Sequence, residues 1–164
     1  MKFHSSTVQA RYESPLGAMI VAATDRGLAG LWFEGQRHLP DCTGWPRAPQ
    51  HPLLLEAMAQ LGDYFAGRRT RFDLPLDLQG GTAFQQSVWH ALLAIPAGGT
   101  TSYGDLSQRV GRPAAVRAVG AAVGRNPLSI VVPCHRVVGS NGALTGYAGG
   151  LERKSALLVL EGAI

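Results

Sequence analysis

Cysteine is scarce in this chain: only Cys42 and Cys134 occur among 164 residues. Two cysteines allow one disulfide at most. That excludes the stapled frameworks of small secreted domains and leaves two free thiols as the reading in a reducing compartment. Long apolar runs are missing too. Nothing approaches the roughly 20 apolar residues of a membrane span. The opening Met1-Lys2-Phe3-His4-Ser5-Ser6-Thr7 lacks the apolar stretch of a secretory signal, so the cytoplasm is the expected location. Acidic residues are short in one half only. Residues 1–80 carry eight Lys or Arg and eight Asp or Glu, whereas residues 81–164 carry seven and three. The net charge of +4 therefore lies entirely in the second half, which suggests an anionic partner there, nucleic acid being the commonest. No internal repeat or low-complexity tract is present. A hydrophobic fraction of 46% is enough for a packed core in one domain, or in a small one fused to another.

The first half reads as an antiparallel meander with a covering helix. Val8 to Tyr12 alternates and meets the turn Ser14-Pro15-Leu16-Gly17. Ala18 to Thr24 and Leu28 to Phe33 follow as strands around the tight turn Asp25-Arg26-Gly27. Gln36 to His51 is rich in Pro and Gly and reads as loop. Leu54, Ala57, Met58, Leu61 and Phe65 keep helical spacing. Phe72, Leu74, Leu76 and Leu78 alternate as an extended segment into Gly80-Gly81, the expected domain boundary.

The second half changes character. Thr82-Ala83-Phe84-Gln85 is a capping box opening a helix to about Ala94, and Ser102-Tyr103-Gly104-Asp105 reads as another, opening a helix to about Val110. Gly111-Arg112-Pro113 turns the chain, and Ala114 to Val123 forms the next helix, giving a helix-turn-helix pattern. On that last helix Val116, Val119 and Val123 fall on one face and are expected to be buried. The opposite side carries Ala114, Ala118 and Ala121, with Arg117 on its flank. Alanines let a backbone approach another polymer closely, and a helix reading major-groove base edges would show more Asn, Gln, Arg or Ser. An alanine-rich packing helix with one solvated arginine fits the same pattern; the charge asymmetry favours DNA.

The chemistry concentrates in Ile130-Val131-Val132-Pro133-Cys134-His135-Arg136-Val137-Val138, where an expected short apolar strand ends at a proline and hands over to adjacent cysteine and histidine. Only the thiolate of cysteine is a good nucleophile. At a pKa of roughly 8.5 it is a few per cent of the population at neutral pH, so a neighbouring base matters. On its own a Cys-His dipeptide is usually coincidence, and a buried cysteine is usually a small apolar residue.

The neighbours change that weighting. Pro133-Cys134-His135-Arg136-Val137, preceded by Arg125-Asn126-Pro127 and followed by Gly146-Tyr147-Ala148-Gly149-Gly150, resembles the O6-alkylguanine-DNA alkyltransferases. The likeness runs back through Ser102-Tyr103-Gly104 and Ala115-Val116-Arg117-Ala118-Val119-Gly120 and forward to Leu160-Glu161-Gly162, covering residues 82–164 in order and spacing. Residues 1–80 resemble the family's N-terminal domain only in their strand and helix pattern.

The resemblance implies suicide repair of duplex DNA carrying O6-alkylguanine, with O4-alkylthymine as a further substrate. Such a protein binds the minor groove, flips the base and takes the alkyl group irreversibly, with no cofactor. By motif match Cys134 is the nucleophile, His135 its base through a bound water, Glu161 the residue orienting the histidine, and Asn126 the holder of the active-site turn. Tyr103 would hydrogen-bond the flipped base and crowd its phosphate, and Arg117 would fill the space the base leaves. Ala115, Ala118 and Gly120 would lie against DNA. The backbones of Cys134 and Val137, with Tyr147 and Ala148, would line the pocket. Ala148 stands where some relatives have serine. A structural zinc, bound by some relatives, is not expected, since only Cys42 lies in the first half; His38 and His51 are read as solvated loop side chains. The resemblance further implies a monomer, with cooperation along DNA left open.

These readings define an α/β protein: residues 1–80 a small antiparallel sheet with a covering helix, and residues 81–164 a mostly helical domain carrying the helix-turn-helix and the cysteine. Several residues have plainer readings. Arg136 can be purely structural, Glu161 an exposed helix-end glutamate, Gly149-Gly150 a simple loop, and Arg153 and Lys154 a solvated face. Trp32, Trp45 and Trp89 read as packing. Two other functions stay open: an alkylated-base binding module, which in alkyltransferase-like proteins replaces the cysteine, and a thiol hydrolase acting on an acyl substrate.

Overall fold

A computed structural model describes residues 1–164. Strands β1 (Val8–Ser14), β2 (Gly17–Thr24) and β3 (Gly27–Phe33) form an antiparallel meander. Met19 pairs Tyr12 on one side and Phe33 on the other, and a bulge interrupts the β2–β3 register at Ala22/Ala23. Helix α1 (Pro52–Phe65) covers the sheet with Leu54, Ala57 and Leu61, but also turns Gln60 and Tyr64 inward. Its N-terminus is capped by His51, whose Nδ1 accepts from the Leu53 N–H. Trp32 and Trp45 stack at 5.8 Å, and Phe3 packs edge-on against both.

The open edge of β3 determines where the rest of the chain docks. An unpaired edge exposes backbone donors and acceptors, and here two segments cover it. Leu28 bonds to Pro75 and Asp77, and Leu31 bonds to Pro127 and Ser129. The second of these segments leads straight into the cysteine motif, so the sheet supports the site from behind. The expected extended run from Phe72 to Leu78 contributes only the bridge of Leu76 to Leu28.

In the second half α2 (Ala83–Leu92) begins with the full Thr82–Gln85 capping box, worth about 1 kcal/mol to the helix, and ends two residues short of Ala94. A two-residue parallel pair, β4 (Thr101–Ser102) with β5 (Val137–Val138), leads into α3 (Tyr103–Arg109). Only half of the second box forms: Ser102 Oγ accepts from the Asp105 N–H, and the shorter Asp105 side chain does not return a bond. The turn after α3 runs through Gly111 at φ 72°, a conformation that suits glycine.

Helix α4 (Val116–Gly124) starts two residues later than expected, with Ala115 as its N-cap residue. Val119 and Val123 are buried as expected, but Val116 is 40% exposed. It is the first residue of the helix, and Ala122 completes the buried face instead. Trp89 Nε1 donates to the Ala122 carbonyl at 2.8 Å and pins α4 onto α2. Helix α5 (Leu151–Leu160) closes the fold, with Leu157 and Leu158 in the core.

Candidate active site

The segment entering Cys134 is not the short strand its apolar residues suggest. The Val131 N–H bonds to Ser129 O at 2.8 Å across Ile130, which has φ 73°. This is a γ-turn of the positive-φ kind, strained for a β-branched residue. Three residues on, the Cys134 N–H bonds to Val132 O at 2.8 Å around Pro133, whose φ of −81° and ψ of 64° make the common inverse γ-turn. Between them the buried Asn126 acts as a bracket. Its Nδ2 donates to Val132 O at 2.7 Å and Leu128 O at 3.3 Å, while its Oδ1 accepts from the Leu128 N–H. Two reversals and one amide replace the ladder a strand would have used, and the chain enters a single 3-10 turn at Cys134–Arg136.

That turn aims three consecutive side chains at different partners. Cys134 is 6% exposed and forms part of a cavity wall. Burial pushes its thiol up, although the Asn126 side chain and the Lys154 charge both pull it down. His135 is fully buried, with Nε2 2.8 Å from Glu161 Oε2. Burial holds its imidazole below the usual value, against the opposing pull of Glu161. Its Nδ1 has no partner among protein atoms. With Nε2–H donated to the carboxylate, Nδ1 is the acceptor.

Glu161 is not the exposed helix-end residue its position suggests; its side chain is 1% exposed. Oε1 accepts from Arg136 Nε at 2.8 Å, and Oε2 from Arg136 Nη2 at 2.9 Å, His135 at 2.8 Å and Tyr64 Oη at 2.6 Å. Burial alone would raise this carboxyl, but the His135 and Arg136 hydrogen bonds outweigh it and hold it down at about 2. Arg136 also donates to the Ile95 carbonyl.

The expected solvated face of α5 is buried instead. Lys154, one of two lysines in the chain, is wholly inaccessible and donates to the carbonyls of Val137, Thr145 and Gly146. Burial lowers its ammonium to about 8, and the Cys134 charge draws it back upward. Arg153 lies 4.4 Å over the Phe33 ring and donates to Leu16 O and Gly149 O. Both cations tie the loop before α5 to the two halves of the chain. Gly149 is required in that loop, since a Cβ there would stand 2.8 Å from the Tyr147 ring and 3.0 Å from Phe33.

The cavity in front of Cys134 measures about 280 Å³, near the small end of ligand cavities. Tyr103, Tyr147 and Ala148 line it, as does Gly120, with Ala121, Val123, Gly124, Arg125 and Gly146. Burial raises the Tyr103 phenol above its usual value, opposed by the neighbouring Thr145 hydroxyl. Val137 does not reach the wall. It is fully buried, its carbonyl taken by Lys154 and its N–H by Cys134 O. Asn126, His135 and Glu161 stand behind the wall, while Arg117 and Ala118 lie on the exposed face of α4 and Ala115 is half-buried at its start.

Arg37 and His38 also line the cavity. They come from the loop after β3, and the Arg37 N–H bonds to Ala148 O at 3.1 Å. His38 has φ 61°, and its imidazole is lowered by burial and by the charges of Arg125 and Arg37. No periodicity marked these residues; the loop's Pro and Gly content hid its contact with the second half.

Comparison with known proteins covers both halves of the chain. Residues 83–163 match the family model of the 6-O-methylguanine DNA methyltransferase DNA-binding domain, and residues 8–78 that of the same family's ribonuclease-like domain. The chain is 50% identical over 149 residues to the methylated-DNA–protein-cysteine methyltransferase of Mycolicibacterium paratuberculosis, covering 91% of this chain and 88% of the relative. It is 48% identical to the constitutive enzyme of Bacillus subtilis, covering 91% and 92%. Among solved structures, Mycobacterium tuberculosis OGT in complex with DNA superposes with a TM-score of 0.86 at 46% identity, over 96% of this chain and 92% of that one. O6-methylguanine-DNA methyltransferase of Pyrococcus kodakaraensis superposes with a TM-score of 0.66 at 26% identity, over 95% and 99%.

Proposed function

The chain belongs to the 6-O-methylguanine DNA methyltransferase family, and from that premise we propose that it repairs duplex DNA by moving the alkyl group of O6-alkylguanine onto Cys134, once per molecule. One observation carries the site assignment: Cys134 opens onto a base-sized cavity while His135, directly after it, is held from behind by a saturated Glu161 carboxylate.

The geometry supports the following steps. The flipped guanine enters between Tyr103 and Tyr147, because its O6-alkyl carbon is out of a thiolate's reach within the duplex; unstacking costs a few kcal/mol. The unpartnered Nδ1 of His135 takes the thiol proton through a water, and Glu161 stabilises the imidazolium that results. Sulfur then attacks the alkyl carbon, the carbon–oxygen bond breaks, and guanine leaves with a proton or hydrogen bond supplied at the base, a role that falls to Tyr103. The product is a thioether, which no group in the site can cleave. Asn126 holds the turn that presents the sulfur.

Arg117 lies on the exposed face of α4, about one turn before Gly120 and Ala121 in the cavity wall. The side chain that fills the gap in the duplex and the pocket that receives the base therefore sit on one rigid helix. Ala115, Ala118 and Ala121 leave the backbone room to approach. We divide the chain at Gly80-Gly81 into an N-terminal domain and the DNA-binding, alkyl-accepting domain. Work on chromosomal DNA with a reduced thiol places the protein in the cytoplasm; no helix is long and apolar enough to cross a membrane.

The test is intact mass after mixing with excess duplex carrying one O6-methylguanine, followed by peptide mapping. One methyl on Cys134, with guanine restored and no second turnover, is expected. Cys134→Ala must abolish transfer and retain DNA binding, and Arg117→Ala must weaken flipping and transfer together. Retained transfer in the first or undiminished transfer in the second refutes the assignment. Lesion binding without modification would make the protein a binding module, and repeated turnover on an acyl ester a hydrolase.

A further inference from the structure

Tyr64 belongs to the N-terminal helix, yet its hydroxyl reaches across 97 positions of sequence to donate to Glu161 Oε2 at 2.6 Å. The ring is 2% exposed, packed edge-on against Phe65 at 5.3 Å and tilted against Phe72 at 5.5 Å. A buried tyrosine needs some partner for its hydroxyl. The oxygen it takes is the one that also receives His135 Nε2. It is the only group from residues 1–80 to bond this carboxylate.

We infer that Tyr64 is a positioning residue for alkyl transfer: through Glu161 it sets how firmly His135 holds the proton taken from Cys134, so that the N-terminal domain is part of the proton relay. The inference rests on the reading of His135 as the base. A carboxylate has about four acceptor sites, and Glu161 uses them on Arg136 twice, His135 and Tyr64. Each donor on Oε2 spreads negative charge that would otherwise face the imidazole. The other groups acting on His135 are Arg136 in the same turn and Lys154 from α5, both opposing its protonation. The Tyr64 phenol is raised, by burial first and by the Glu161 charge second, so its proton stays on oxygen and it remains a donor.

The experiment is the pH profile of single-turnover transfer from an O6-methylguanine duplex for the full chain and three variants. Tyr64→Phe keeps the ring and removes only the hydroxyl. Its acid limb should move up by about half to one pH unit, because Oε2 then faces His135 with one donor fewer. Phe65→Leu removes the ring contact and leaves the hydroxyl; it should lower the urea midpoint and leave the profile in place. His135→Asn should lose the acid limb. A Tyr64→Phe profile that superposes on the parent's, or a Phe65→Leu profile displaced as far as that of Tyr64→Phe, overturns the role of Tyr64. A His135→Asn variant that transfers at the parent rate overturns the base reading instead.

Discussion

Replacing Glu161 with glutamine tests the electrostatics of the site through stability alone. The substitution keeps the shape and turns one acceptor oxygen into an NH2 group. Whichever way the amide faces, that group meets a donor: Arg136 Nε on one side, or Tyr64, His135 and Arg136 Nη2 on the other. Arg136, with its side chain 7% exposed, is left with its charge uncompensated. Breaking a buried pair in this way costs about 3–5 kcal/mol.

Part of that loss depends on pH. A carboxylate held at about 2 against an ordinary value of 4.5 contributes roughly 3 kcal/mol at neutral pH, and about 2 kcal/mol after allowance for solvent screening. Because the folded-state value is depressed, this contribution is fully present above pH 4.5 and disappears as pH falls toward 2. About half should be gone by pH 3. Urea unfolding followed by tryptophan fluorescence, at steps from pH 7 to 3, should show parent and Glu161→Gln differing by about 3 kcal/mol at neutral pH and converging in acid. A difference that stays constant across the range, or is below about 1 kcal/mol at pH 7, would refute the claim that Glu161 is an ionised, saturated hub.

Two further outcomes follow from the turn and the thiol. Ile130 is buried at φ 73°, where a side chain costs about 1–3 kcal/mol of strain that glycine avoids. Ile130→Gly should therefore be at least as stable to urea as Ile130→Ala, reversing the usual order, and a glycine variant weaker by about 1 kcal/mol would remove the case for strain. In a Cys42→Ser background, the ultraviolet absorbance of thiolate should be absent at pH 7 and rise only above the ordinary thiol range, because burial raises Cys134; full thiolate absorbance at pH 7 would contradict this.

The meander, the covering helix and the Thr82 cap were legible because each depends on neighbours a few residues apart: alternation over seven residues, a Gly-containing turn, a hydroxyl three positions from its amide. The motif around Cys134 was legible as a family pattern, but its backbone was not. Apolar Ile130-Val131-Val132 favours a strand locally; the bracket by Asn126 and the docking of residues 127–129 on β3 override that propensity. The charged residues were misread for a related reason. A lysine or glutamate near a helix end is solvated unless distant groups converge on it. Lys154 is buried by three carbonyls from other segments, and Glu161 by Arg136, His135 and Tyr64. Val116 errs the other way, since periodicity cannot show where the core stops.

The resting state of the site suits a protein that reacts once. Burial raises the thiol and lowers the imidazole, so the charge-neutral pair is favoured over thiolate and imidazolium. Lys154 and Asn126 favour the thiolate and Glu161 favours the imidazolium, but burial outweighs them. A thiolate at rest would react with any electrophile or oxidant reaching the cavity, and each such event would remove a molecule from service. On the proposed mechanism, a neutral thiol with His135 as its base reacts when an alkyl carbon is held in line, because proton transfer to His135 is then drawn forward by the bond sulfur is forming. On that mechanism the burial that keeps Cys134 protonated also spares it from adventitious electrophiles. A variant that brought the thiolate into being at pH 7 would gain speed toward small alkylating agents and lose discrimination.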